Sequence, residues 1–186
     1  MVRITWKRAA QIVAVALLTA CGMDASAPTS PLQPADADRS LLGFLTHVRP
    51  LNRLVALDHD IEVSRTIGSG GGTIAIPETG FRLTVPAGAV TSNTRFVVRA
   101  LEGTAVAYEF EPHGTVFRRS LVATQSLDGT IPRLGLLQAA YFRDRALINP
   151  SGLTAVVSEL LGGVTNLLNH SFTWRIDHFS GYIVAW

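Results

Sequence analysis

The stretch Thr73-Ile74-Ala75-Ile76-Pro77-Glu78-Thr79-Gly80-Phe81-Arg82-Leu83-Thr84-Val85 decides the fold. Two short runs rich in β-branched and apolar residues flank Pro77-Glu78-Thr79-Gly80. Successive side chains of a strand point to opposite faces, so the alternation across Phe81 to Val85 buries one face and wets the other. Pro and Gly between the runs supply turn dihedrals. A hairpin is predicted.

The same period of two extends outward in both directions. On the N-terminal side Ile61, Val63 and Ile67 alternate with polar residues, and Gly68 to Gly72 form a break before the hairpin. On the C-terminal side the candidate strands are Arg95 to Leu101, Val106 to Phe110, Leu121 to Ser126, Gln138 to Phe142, Thr154 to Leu160, Phe172 to Ile176 and Gly181 to Val184. Short strands between Gly, Pro, Asn and Asp punctuation argue an antiparallel arrangement. No segment between them is long enough for repeated helical crossovers, which parallel strands require. The prediction is an all-β chain with a single antiparallel β-sandwich over residues 60–186, folding as a unit from about Asp60. Tyr182, Val184 and Trp186 stand at strand spacing and are expected to complete a sheet edge.

Upstream, Leu41, Phe44, Leu45, Val48, Leu51, Leu54 and Val55 recur at three- and four-residue spacing. That is a helical period, which Pro50 interrupts by disfavouring helix at Arg49. Residues 41–59 therefore read as a lead-in, either two short helical pieces or an irregular segment. An amphipathic stretch lying on a membrane is the alternative, but its few positive charges favour packing on the core. Residues 21–40 are small, polar and broken by Pro28, Pro31 and Pro34, with nothing to bury, and read as a flexible spacer.

Residues 1–20 carry Arg3, Lys7 and Arg8, then an apolar run from Ala9 to Leu18 with Gln11 as its one polar residue, and end in Leu18-Thr19-Ala20 before Cys21. This is a charged region, a short hydrophobic region and a small-residue cleavage site, a run too short to span a bilayer as a helix. Leu18-Thr19-Ala20-Cys21 resembles the lipobox of bacterial lipoproteins. That resemblance implies a diacylglyceryl group on the Cys21 sulfur, cleavage before Cys21, and acylation of the new amino terminus by a chain such as palmitate. The other reading is an ordinary secretory signal with Cys21 incidental. Cys21 is the one cysteine of the chain and sits at the lipidation position. No intramolecular disulfide can form, so the domain must be stable through its core. Several acyl chains make attachment effectively permanent. Gly22 follows Cys21, where Asp resembles an inner-membrane retention signal, so the outer membrane is the expected destination in a cell with two membranes.

Loss of residues 1–20 leaves 13 basic side chains against 14 acidic ones, a balance of −1. A near-neutral surface gives no electrostatic ground for nucleic-acid binding, which depends on clustered Lys and Arg. Lys7, the one lysine, leaves with the leader, which removes P-loop phosphate binding and Schiff-base chemistry.

Four motifs inside the domain carry a family likeness: Gly71-Gly72-Thr73-Ile74 leading to Pro77, Leu83-Thr84-Val85-Pro86-Ala87-Gly88-Ala89, Pro112-His113-Gly114-Thr115-Val116-Phe117, and the closing His178-Phe179-Ser180-Gly181-Tyr182. Together they resemble the ZU-five (ZU5) domain, the β-sandwich module of zona occludens proteins, uncoordinated-five netrin receptors and ankyrins. The likeness is nearer still to bacterial lipoproteins that carry this module. Ser120 stands where the family has a proline three residues after Phe117. In the eukaryotic families the module docks other domains or cytoskeletal partners, so the resemblance implies an interaction or structural module. Some relatives cleave themselves between the Phe and Ser of a His-Phe-Ser triplet, which carries over here to Phe179 and Ser180. The Ser180 hydroxyl would attack the Phe179 carbonyl, with His178 taking the hydroxyl proton, and water would open the ester. The competing reading is that Phe179 and Tyr182 pack while Ser180 stands at a bend.

Other chemistries find little support. Gly68-Ser69-Gly70-Gly71-Gly72 resembles a phosphate loop or nucleophile elbow in composition, yet both need a following helix and the following residues are strand-like. His47, His59, His113, His170 and His178 lack ligand spacing, so neither a metal nor a cofactor is expected. Asp58-His59-Asp60 reads as a solvated turn and Asn169-His170-Ser171 as an ordinary turn. An extracellular hydrolase would need a nucleophile, base and oxyanion arrangement that the sequence does not display. The expected protein is a non-enzymatic, lipid-anchored envelope module with an unnamed protein partner; the runner-up is self-processing at Phe179–Ser180.

Overall fold

The computed structural model describes residues 45–133 and 135–186. The leader, Cys21, the spacer, and Leu41 and Phe44 of the lead-in lie outside the described residues. Fifteen strands follow one another among those described: β1 (Thr46–Val48), β2 (Asn52–Leu57), β3 (Ile61–Ile67), β4 (Gly72–Ile76), β5 (Phe81–Val85), β6 (Thr94–Ala100), β7 (Gly103–Ala105), β8 (Ala107–Glu111), β9 (Val116–Ser126), β10 (Gln138–Phe142), β11 (Ala155–Val157), β12 (Glu159–Leu161), β13 (Gly163–Asn166), β14 (Ser171–His178) and β15 (Gly181–Ala185). The all-β, antiparallel reading holds.

The hairpin that decided the fold pairs Ile74 with Leu83 and Ile76 with Phe81. Its connection is a single 3₁₀ turn, Pro77–Thr79, closed by Gly80 in the left-handed region with φ 66°. A Cβ there would approach the Ser126 Cβ to 2.8 Å, so both backbone and space require glycine. Two sheets then face each other, one ordered β12-β10-β15-β8-β6-β3 and the other β13-β14-β9-β5-β4. Between them one core joins Phe81, Leu83 and Val85 of β5 to Phe96, Val98, Phe110, Tyr182 and Val184 of the opposite sheet. The rings of Phe81 and Tyr108 stack at 4.1 Å across the gap. Each large apolar side chain so buried contributes about 1.5–3 kcal/mol.

Some polar groups in the interior are tied, while Trp174 Nε1 and the Nε and Nη2 of Arg53 are buried with no hydrogen-bond partner among the described residues. The Tyr108 hydroxyl donates to Gln125 Oε1 at 2.5 Å, and Gln125 Nε2 donates to the carbonyls of Thr79 and Ser126 at 2.7 Å each. The link joins β8 to β9 across the sandwich. Burial pushes the Tyr108 phenol above its ordinary pKa, against the opposing pull of Arg53, so it remains a donor. Arg53 is itself buried, with its guanidinium 5.8 Å from the centre of the Tyr108 ring and Nη1 donating to the carbonyls of Leu101, Gly103 and Ala105.

The lead-in departs from its helical period. Residues 46–48 and 52–57 are strands, β1 pairing with β11 and β2 with β7. The apolar spacing misleads because the pattern is inverted: Asn52 and Arg53 are buried while Leu54 and Val55 are 64% and 78% exposed. The folded unit therefore begins well before Asp60.

A second apolar cluster sits on the outer side of the six-stranded sheet, where Leu101, Ala107, Ala140, Phe142, Val157 and Ile183 meet Val48 and Ile148. It covers the far face of β15. That strand lies between β10 and β8, and all five of its residues are buried. It is an interior strand, not the expected sheet edge. The expected strand from Thr154 to Leu160 also divides: β11 pairs with β1, and after Ser158 the chain turns so that β12 pairs with β10. Strand β13, absent from the sequence reading, pairs with β14.

Candidate functional site

The family motifs, scattered along the chain, converge at two turns. In the first, Gly71 (φ 77°) brings its backbone so near residues 85–87 that a Cβ would lie 2.5 Å from the Val85 carbonyl oxygen. The Gly88 N–H donates to the Ser69 carbonyl at 2.8 Å, and the Arg118 N–H to the Ala89 carbonyl at 3.2 Å. This loop carries the chain from β3 in one sheet to β4 in the other. The next element after Ser69 is strand β4, beginning at Gly72, so the elbow geometry, strand then helix, is not formed.

In the second turn, residues 112–117 zip onto the triplet at the corner between β14 and β15. The Phe179 N–H donates to the Thr115 carbonyl at 2.9 Å, and the Gly114 N–H donates to the Phe179 carbonyl at 3.1 Å. Phe179 is 1% exposed. Its ring lies 5.2 Å from Phe96, 5.3 Å from Phe110 and 4.8 Å from Phe117. The Ser180 carbonyl accepts from the Phe110 N–H at 3.1 Å, and the Tyr182 hydroxyl donates to the His178 carbonyl at 2.7 Å. Burial, with Asp177 and Glu159 nearby, pushes the Tyr182 phenol far above its ordinary value, so it holds its proton.

Chemically, the corner offers the Phe179 carbonyl one backbone donor of the kind an oxyanion needs. The His178 ring packs edge-on against Tyr141 at 5.5 Å and lies 6.1 Å from Tyr182. Ser180 is buried. Self-cleavage would require the imidazole to reach the Ser180 hydroxyl.

The remaining sequence candidates are dispersed. His47 pairs with Val156 in β1, His113 lies in the turn after β8, and His170 has a left-handed backbone (φ 44°) with Nδ1 3.1 Å from Asp128. Among the described residues no three His, Cys, Asp or Glu side chains gather as a metal site. In the Asp58-His59-Asp60 turn, Asp60 accepts the Glu102 N–H at 2.8 Å and pairs with Arg145 at 2.9 Å. Partial burial raises its pKa, but the Arg145 and Glu102 hydrogen bonds outweigh that and hold the carboxyl below its ordinary value. The Asn169 side chain accepts the Ser171 hydroxyl at 2.7 Å, as a turn residue does.

Residues 63–119 match the family model of the ZU5 domain. No curated protein matches the chain. The ZU5 match opens inside β3 and closes inside β9, taking in the hairpin, the Gly71 and Gly88 turns and residues 112–117. The corner at Phe179 lies outside the ZU5 match, yet it bonds to Gly114 and Thr115 within it. Two surface features had no signal in the sequence. One is a cleft of ≈ 530 Å³ bordered by Asp58, Glu102, Thr104, Arg145 and Asn149. The other is a row of smaller clefts where the chain enters the fold.

Proposed function

We propose that the chain is a lipid-anchored envelope protein that displays its ZU5-type sandwich as a non-enzymatic interaction or structural module. The ZU5 match over residues 63–119 is the observation that carries the module reading. Leu18-Thr19-Ala20-Cys21 supports the anchor, and Gly22 supports the outer membrane in a cell with two membranes. The protein isolated from membranes is expected to begin at an acylated Cys21 and to co-fractionate with outer-membrane markers. Intact mass of the wild type against Cys21→Ser tests this. An unmodified mass for both forms sinks the anchor reading, and fractionation with inner-membrane markers sinks the address.

The second reading is self-processing between Phe179 and Ser180, favoured by the single Gly114 N–H on the Phe179 carbonyl. We expect the bond to stay intact. A cut would leave β15 locked between β10 and β8, hydrogen-bonded on both sides. Mass measured under denaturing conditions decides between the two. A species ending at Phe179, absent from Ser180→Ala, replaces the first reading with the second.

A further inference from the structure

Exposed leucines are unevenly spread over the described surface. Nine large apolar side chains stand exposed, and five of them, Leu136, Leu153, Leu160, Leu167 and Leu168, belong to one margin of the domain. Three clefts in series define it. The first, ≈ 260 Å³, is bordered by Leu51, Ile131, Arg133, Leu137 and Leu167. Arg133 is shared with the second, which also has Arg49, Leu153 and Trp186. Arg49 and Trp186 are shared with the third, which reaches Leu160 and Thr46. Leu167 and Leu168 form the tip of the β13–β14 turn and are 78% and 97% exposed, and Leu136 is 85% exposed on the neighbouring loop. Water-facing leucines of this kind neither build the core nor cap a strand.

Charge and aromaticity complete the pattern. The Arg49 and Arg133 guanidinium groups lie 5.4 Å and 5.0 Å from the centre of the Trp186 ring. Neither arginine is in an ion pair among the described residues, whereas Arg99 and Arg145 are. Apolar tips, an amphipathic tryptophan and unpaired guanidinium groups are the components of an interfacial membrane contact: leucines enter the acyl boundary, Trp sits at headgroup depth, and Arg meets phosphate. The chain preceding the described residues also enters here, since Thr46 borders the third cleft.

We propose that this margin docks reversibly on an anionic phospholipid surface, holding the domain against the membrane rather than away from it. The inference deepens the tethered-module reading and rests on it for the choice of a membrane as the occupant. The test uses residues 22–186 made without leader or acyl group, so that docking and acylation are read separately. Every described strand and both cores lie within that span. Sedimentation with phosphatidylethanolamine–phosphatidylglycerol vesicles is expected to exceed that with phosphatidylcholine vesicles and to weaken with salt. Leu167→Ser with Leu168→Ser should lower the vesicle-bound fraction roughly tenfold or more, because two side chains no longer leave water. Both sites are exposed, so the far-ultraviolet circular dichroism spectrum should not change. Three results overturn the proposal: no sedimentation of the wild type with either vesicle, sedimentation indifferent to the double substitution, or a wild-type dimer in ultracentrifugation that the same substitutions dissociate. An acylated Cys21 with no vesicle binding removes the docking and leaves the anchor standing.

Discussion

A fragment beginning at Asp60 should be at least about 5 kcal/mol less stable than one beginning at Leu45, enough to unfold a domain of ordinary stability. The deleted segment holds β1 and β2. Its Leu51 is a member of the main core and Val48 packs on the second cluster. Losing a leucine side chain from a core costs about 2–5 kcal/mol. The backbone losses add to this. The Leu51 N–H donates to the Val184 carbonyl, the Val106 N–H donates to the Leu51 carbonyl, and the Trp186 N–H donates to the Arg49 carbonyl. Each buried group stranded by the deletion costs about 1–3 kcal/mol. Strand β11 also loses its only partner in the two-stranded β1–β11 sheet. Urea unfolding followed by tryptophan fluorescence compares the two fragments. Coincident midpoints for the fragments starting at Leu45 and at Asp60 would show that β1 and β2 are appendages.

That expectation reverses the boundary drawn from periodicity, and the cause is physical. Where apolar residues face the core and polar ones face water, the period of two is visible, as in Phe81-Arg82-Leu83-Thr84-Val85 with its strict burial alternation. The strands β3 to β6, β8, β10 and β14 were legible for that reason. In β2 the signs are exchanged, because Arg53 Nη1 is held by carbonyls and its guanidinium lies over an aromatic face that no local pattern announces. In β9 the sequence reading began at Leu121, although the strand starts at Val116. Arg118, Arg119 and Ser120 carry no apolar signal, and the pairing with β14 is irregular across them, breaking after Leu121 and resuming at Val116 opposite His178. Strand β15 did hold a signal for its interior place. Tyr182-Ile183-Val184-Ala185 is continuously apolar, as strands covered on both faces are. The candidate corner was legible as motifs, but that residues 112–117 bond to Phe179 required the fold. The leucine margin was illegible, since solvent-facing leucines in loops look like any others until neighbouring loops bring them together.

Replacing Phe179 by Ala should cost about 3–5 kcal/mol, while Ser180→Ala should change stability by less than about 1 kcal/mol. Both residues belong to the triplet that suggested bond cleavage, so the contrast asks what the triplet is for. Phe179 projects into a nest of three rings, with Phe110 roughly parallel and Phe96 and Phe117 edge-on. Aromatic pairs in such offset and T-shaped arrangements contribute about 0.5–1.5 kcal/mol beyond their buried area, so truncation removes several favourable contacts as well as leaving a cavity. The loss also spreads to the seam. The Phe179 backbone clamps residues 114 and 115, and its ring holds Phe117 at the start of β9 against Phe96 of β6 in the opposite sheet. Ser180 contributes its backbone to Phe110, which Ala preserves. Unfolding midpoints of the two variants read the contrast directly. Equal, small effects from both substitutions would mean that the phenylalanine is not a keystone of the corner, and the packing explanation of the triplet would give way to the chemical one.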